Sequence, residues 1–244
     1  MWFQTPTLKG FPYDPSLVLW YSAESINGYR STLPSDGTLI PMAYDLSGNN
    51  NHAVNSNSST QPTFSTGIQN GRPGIFSIDA FRYLANTSPK NFRTDAISCF
   101  TVIRPNTGST NRIPLRITST TGGETCICLL QGTTTARWAQ PSSATGSPGP
   151  NVAYSWVSGA NYIMEGHGDA TNGTIVILNG SVLGTSSNGG FNMTTPTITI
   201  GNSGTTGNAS MQNYWFELLY YKRMLNSTER ATVRAYLNAK WAVY

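Results

Sequence analysis

Charge is scarce in this sequence. Asp, Glu, Lys and Arg make up 11% of its 244 residues, where an average soluble domain has about a quarter. The formal net charge of +4 is carried mostly by arginines, and Arg30, Arg72, Arg82, Arg93 and Arg104 are scattered singly. A nucleic-acid binder gathers such residues into a stripe with interleaved aromatics, so no nucleic-acid partner is expected. Long apolar runs are missing too. Nothing approaches the roughly 18 residues needed to cross a bilayer, which excludes insertion by a membrane helix. The opening stretch, Met1 to Gly10, has neither the basic start nor the apolar core of a secretory signal. Cysteine occurs only at Cys99, Cys126 and Cys128, an odd number that leaves at least one thiol free. Cys126 and Cys128 stand two apart in a predicted strand and share a face, which is poor geometry for a mutual bond. Buried free thiols, and synthesis in a reducing cytoplasm, are the expectation.

What fills the space is Ser, Thr, Asn and Gly, set among 11% aromatics and recurring apolar runs. A disordered chain lacks those runs. The pattern is that of a β-rich protein with neutral polar outer faces. Strands are predicted at Leu17–Tyr21, Arg72–Ile78, Tyr83–Ala85, Ile97–Ile103, Arg112–Ile117, Thr125–Leu130, Thr174–Leu183 and Thr197–Ile200. In Arg112–Ile117 the alternation sends Ile113, Leu115 and Ile117 inward and Arg112 and Arg116 outward. Asn179-Gly180 can both take positive φ, which predicts a two-residue hairpin turn. The Pro- and aromatic-rich start, residues 1–16, reads as an extended arm, and residues 17–244 as one domain with no internal repeat or linker.

The end of the chain is the most legible part. Tyr214–Tyr221 is apolar on both faces, with Phe216, Leu218 and Tyr220 predicted on one side and Glu217, Leu219 and Tyr221 on the other, so it belongs deep in a sheet. A helix follows. Asn226 and Glu229 have the spacing of a capping box, and Val233, Leu237 and Trp241 form a narrow apolar stripe with Arg230, Arg234 and Asn238 facing elsewhere.

Three pieces in this order resemble the concanavalin A-like lectin/glucanase superfamily in its laminin-G-like branch: Asp45–Ala53 after the Trp20-containing strand, Val176–Val182, and Phe216–Leu225 running on to Trp241. The resemblance implies an all-β, jelly-roll sandwich of two antiparallel sheets with one C-terminal α-helix. It fixes no single chemistry, since lectins, hydrolases and adhesion modules share this fold.

The glucanases of that superfamily set carboxylates two apart on one strand, as glycoside hydrolysis needs one acid to protonate the leaving oxygen and another to attack or activate water. Eleven acids are present, and none pairs in that way on a strand face. Glu165-Gly166-His167-Gly168-Asp169 is the nearest approach, and its glycines read as a strand end or turn. No Gly-x-Ser-x-Gly nucleophile elbow occurs. The protein is therefore expected not to be an enzyme.

Relatives in the laminin-G-like branch often hold calcium at the rim through an Asp and backbone carbonyls, which makes Asp45, Asp79 and Asp169 candidate ligands of a structural calcium. No other cofactor is implied. Against this, the Asp45 carboxylate can instead tie down the amides of its own Ser-Gly-Asn loop. Sugar sites combine an aromatic platform with polar rim groups, and Trp138, Tyr154 and Trp156, flanking the Pro/Gly-rich stretch from Gln140 to Asn151, fit that description. The plainer alternative is that they are core aromatics at strand ends.

A lectin-like fold without an export signal, with free thiols, suits a particle assembled in a host cytoplasm and released by lysis. The expected role is a structural protein at the virion surface of a tailed bacteriophage, as capsid decoration or a tail or fibre component. Trp2, Phe3, Phe11 and Tyr13 of the arm would dock on other virion proteins, within a homo-oligomeric assembly, while the outward face meets cell-surface glycans in host attachment. The alternatives are a free-standing carbohydrate-binding lectin and a glycan hydrolase.

Overall fold

The computed structural model describes residues 14–29, 31–77, 82–105, 112–119, 126–131, 134–140, 149–201 and 213–244. The arm residues Trp2, Phe3, Phe11 and Tyr13, and the candidate ligand Asp79, lie outside them. Two antiparallel eight-stranded sheets face each other. The first contains β1 (Leu17–Ser22), β4 (Thr63–Gln69), β5 (Arg72–Ser77), β7 (Ile97–Pro105), β12 (Tyr162–Asp169), β13 (Gly173–Leu178), β14 (Ser181–Ser186) and β16 (Asn213–Tyr221). The second contains β2 (Met42–Ala43), β3 (Ala53–Val54), β6 (Tyr83–Asn86), β8 (Arg112–Ser119), β9 (Cys126–Gln131), β10 (Thr135–Ala139), β11 (Asn151–Ala153) and β15 (Pro196–Gly201). One helix, α1 (Ser227–Trp241), closes the chain. This is the sandwich with a terminal helix that the sequence leads one to expect.

β16 organises the first sheet. It pairs with β7 along its length, while its other edge is shared between β5, opposite Asn213–Trp215, and β1, opposite Glu217–Tyr221. A bulge lies between Trp215 and Glu217. The extra residue is Phe216, and it overturns the simple alternation expected there: a bulge puts two consecutive side chains on one side of the strand. The Phe216 ring lies 5.2 Å from that of Trp241, on the helix side beside Glu217, rather than with Leu218 and Tyr220. Gly74 makes room for it, since a Cβ at that position would come within 2.8 Å of the ring.

The core is filled by rows that cross both sheets. Leu115, Ile200 and Leu84 are in register across β8, β15 and β6, with Trp138 buried on β10 of the same sheet, opposite a row of Gly166, Cys99, Tyr220 and Leu19 across β12, β7, β16 and β1. Asn179 and Gly180 join β13 to β14 with φ of 48° and 84°, the positive values of the expected hairpin turn. Cys99 is free and fully buried, and burial pushes its thiol well above the ordinary range, so it behaves as a small apolar side chain.

The segment around Glu165 corrects the sequence reading. Glu165–Gly168 is not a turn but part of the body of β12, paired on both sides by β7 and β13, and Asp169 is the strand's last residue, paired with β13 alone. Its glycines mark close approach from the opposite sheet. A Cβ at Gly166 would lie 2.1 Å from the Trp138 ring, and one at Gly168 would lie 2.3 Å from the Gln140 amide oxygen. Glu165 and His167 point the other way, towards α1.

Candidate functional site

The helix is held to its sheet by more than its apolar stripe. Asn226 and Glu229 form the capping box, and Val233, Leu237 and Trp241 are buried. The stripe is too narrow to account for the interface alone. Glu217, fully buried on β16, accepts hydrogen bonds from Trp20 Nε1 at 2.7 Å, Tyr236 Oη at 2.9 Å and Trp241 Nε1 at 2.6 Å, and pairs with Lys240 Nζ at 2.8 Å. On β12, Glu165 takes Arg234 through both oxygens, at 2.5 and 3.1 Å, and His167 Nε2 at 3.1 Å. Arg234 thus turns towards the sheet, where the periodicity had placed it facing away. Burial and then the Glu217 carboxylate push the Tyr236 hydroxyl up, which keeps it a donor.

Three of the donors to Glu217, Trp20, Tyr236 and Lys240, also line a pocket. A cavity of about 380 Å³ opens between the C-terminal half of α1 and the turn after β1, walled by Trp20, Tyr29, Tyr236 and Leu46, with Ser22, Ser25, Glu24, Arg72 and Lys240 supplying polar groups. Tyr29 is 42% exposed. Glu24 is ion-paired with Arg72, and its other oxygen lies 3.2 Å from Lys240 Nζ. Aromatic walls around a few fixed donors and acceptors, at a volume within the usual range of about 300–1,000 Å³, are the ordinary make-up of a small-molecule site.

The residues singled out from sequence are distributed differently. Trp138 is fully buried, with its ring on Gly166, and offers a ligand no surface; at this position the core alternative describes the side chain. Tyr154 and Trp156 are half-buried and pack edge to face at 4.8 Å against each other, with Trp156 also 5.0 Å from Tyr162. The structure brings these two together and leaves Trp138 apart from them. The carboxylates of Asp45 and Asp169 are engaged by hydrogen bonds from their own loops. Asp45 accepts from the backbone N–H groups of Trp20, Ser47 and Asn51 and from Ser47 Oγ, at 2.8–3.0 Å. Asp169 is similarly taken by Thr171 and Asn172 at 2.6–3.0 Å. Among the described residues, no cluster of three or more His, Cys, Asp or Glu could hold a metal. The pocket residues Tyr29, Glu24, Arg72, Tyr236 and Lys240 were missed. The available signal was Glu217 itself, since a carboxylate in a buried strand requires donors, and the helix that follows it ends in Lys240 and Trp241, both able to donate.

The sequence matches no protein-family model and no curated protein. Solved structures do match. The fold is similar to Trypanosoma rangeli sialidase in complex with sialic acid (TM-score 0.58, 14% identity, 93% of this chain and 34% of that one). It is also similar to the binding domain of paraclostridial mosquitocidal protein 1 (0.61, 13%, 91% and 52%). A third likeness is to the ligand-binding domain of botulinum neurotoxin serotype D in complex with N-acetylneuraminic acid (0.62, 10%, 90% and 50%). This chain therefore spans about a third to a half of those chains. Together with the two facing sheets, these likenesses define the fold class, an antiparallel β-sandwich.

Proposed function

We propose that this protein is a non-enzymatic carbohydrate-binding module whose ligand seats in the pocket between α1 and the turn after β1. The observation that carries the proposal is the exposed Tyr29, set with Trp20 and Tyr236 around fixed polar groups. A pyranose ring presents C–H groups on its faces and hydroxyls at its rim, and such a site matches both. Two of the structures compared, the sialidase and the neurotoxin ligand-binding domain, are complexes with sialic acid or N-acetylneuraminic acid, which supports the same reading. The case against catalysis rests on the nearest carboxylates. Glu217 is surrounded by four donors and Glu24 is paired with two cations. Neither carboxylate is unencumbered for the roles that glycoside hydrolysis asks of one. A glycan array, followed by titration of any hit, tests the module. Tyr29→Ala is expected to weaken binding roughly fivefold, about 1 kcal/mol, with the melting temperature unchanged. Absence of any glycan bound by the unaltered protein refutes the proposal.

Within this reading the module is displayed on a tailed-phage particle through residues 1–16. At the root of that segment Asp14 pairs with Arg223 at 2.6 Å and Arg223 in turn with Glu229 at the start of α1. The start of the domain is thereby fixed to its terminal helix. Deleting residues 1–13 is expected to leave a folded domain that no longer joins particles; assembly of the truncated protein removes the docking role.

A further inference from the structure

A second concavity lies on the other sheet, and its chemistry differs. About 550 Å³ in volume, it is lined by Pro41, Met42, His52, Val54, Asn55, Ser56, Tyr83, Ala85, Asn86, Thr87 and Ser88. None of these side chains carries a formal charge if His52 is neutral. Its floor follows from strand register, because Met42, Val54 and Ala85 are cross-strand partners on β2, β3 and β6 and so share one face. Val54 leaves 51% of its surface open to water even though it sits between two strands. An apolar side chain this exposed at the bottom of a depression is a platform without a cover. Around it stand two rings, Tyr83 and His52, and a rim of amides and hydroxyls.

His52 is set up as a donor. The backbone N–H of Asp45 donates to His52 Nδ1 at 3.0 Å. Nδ1 is therefore the unprotonated nitrogen, and the ring proton resides on Nε2. Contact with the Tyr44 ring, 4.8 Å away and tilted by 56°, steadies the orientation. Nε2 is then the donor nitrogen of a ring that lines the depression.

We propose that this depression is a second ligand site, one for an uncharged saccharide, whose C–H face rests on Met42, Val54 and Tyr83 while its hydroxyls meet His52 Nε2–H and the Asn, Ser and Thr groups of the rim. An uncharged partner suits the site because an ionic ligand would lose water here without gaining a counter-charge. The proposal stands on the fold and on this lining, and does not depend on the pocket beside Tyr29.

The test is a titration of the isotope-labelled protein with glucose, galactose, mannose and N-acetylglucosamine, each alone, with glucuronic acid as the charged comparison, followed by amide correlation spectra. At least one neutral sugar is expected to shift the amides of Val54–Ser56 and Tyr83–Ser88, with glucuronic acid producing at least tenfold weaker binding. Val54→Asp, at a solvent-open position, should abolish that response, as should Thr87→Trp, which fills the mouth from an exposed loop without adding charge. Tyr29→Ala should leave it intact, which separates failure of this site from failure of the other pocket. The proposal is overturned if no neutral sugar moves these amides, if both variants respond like the unaltered protein, or if Tyr29→Ala removes the response.

Discussion

The two outer faces of the sandwich meet water in opposite ways. On the β16 face a helix lies across the strands, and charges are sealed beneath it: Glu217 and Glu165 are fully buried, paired with Lys240 and Arg234 of α1. On the β6 face no helix is found among the described residues, and the row Met42–Val54–Ala85 is open and uncharged. The difference teaches where this charge-poor sequence uses its few charges. An apolar stripe of three residues could slide or rotate on a sheet with little penalty. Buried carboxylates that accept only from particular donors fix one docking of the helix, a use of buried polarity seen where register must be specified. An open face has no such need. Asp45 connects the two: its carboxylate holds the Trp20 backbone on one side, and its amide holds His52 on the other.

The largest way to break this contrast is Glu217→Ala. It leaves two buried indole N–H groups without their shared acceptor and takes from Lys240 one of its two carboxylate partners, and loss of one partner from a buried pair costs about 3–5 kcal/mol. Urea unfolding is expected to show that loss, together with loss of glycan binding at the Tyr29 pocket. If the variant is too unstable to purify, Glu217→Gln, which keeps the shape and loses the charge, should show a smaller loss of the same sign. A loss below about 1 kcal/mol in both variants would mean that the apolar stripe alone seats the helix.

Periodicity revealed the strands, the hairpin at Asn179-Gly180 and the capped helix because each is set by neighbours in sequence. The sequence reading failed where distant residues decide. Gly166 and Gly168 read as turn formers, yet they are gaps for Trp138 and Gln140 on the opposite sheet, which local pattern cannot show. Phe216 was placed on the wrong face because a bulge depends on what the neighbouring strands β5 and β7 require. The candidate site was less legible still. Trp138, Tyr154 and Trp156 were chosen for being aromatic near a loop, while the pocket walls come from four separate parts of the chain and only folding brings them together. Asp45 was read more successfully, since the alternative of a carboxylate tied to its own loop amides is local and is what the hydrogen bonds show.

The smallest test of the contrast uses pH. His167 is completely buried, and burial pushes its pKa below the ordinary histidine value. Its Nε2–H donates to Glu165, while Nδ1 has no partner. A second proton there would be buried without an acceptor, with Arg230 and Arg234 adding repulsion and Glu165 only partly offsetting it. The unfolded chain protonates this residue near pH 6.5, whereas the folded one does so only at lower pH. The unfolded state therefore binds more protons in that interval, and stability present above about pH 6.5 is lost as the pH falls. Glu165 acts in the same direction but later. Burial alone would raise its pKa, yet the contacts from His167 and Arg234 outweigh that and hold it below 4.5, so its contribution declines only in stronger acid. Between pH 7 and 5 the histidine is the group on the helix face expected to respond, with a slope of at most about 1.4 kcal/mol per pH unit. His167→Gln can still donate to Glu165 but cannot titrate. Unfolding free energies measured across that interval should fall more steeply for the unaltered protein than for the variant; equal slopes would show that the charged face is no more sensitive to acid than the open one.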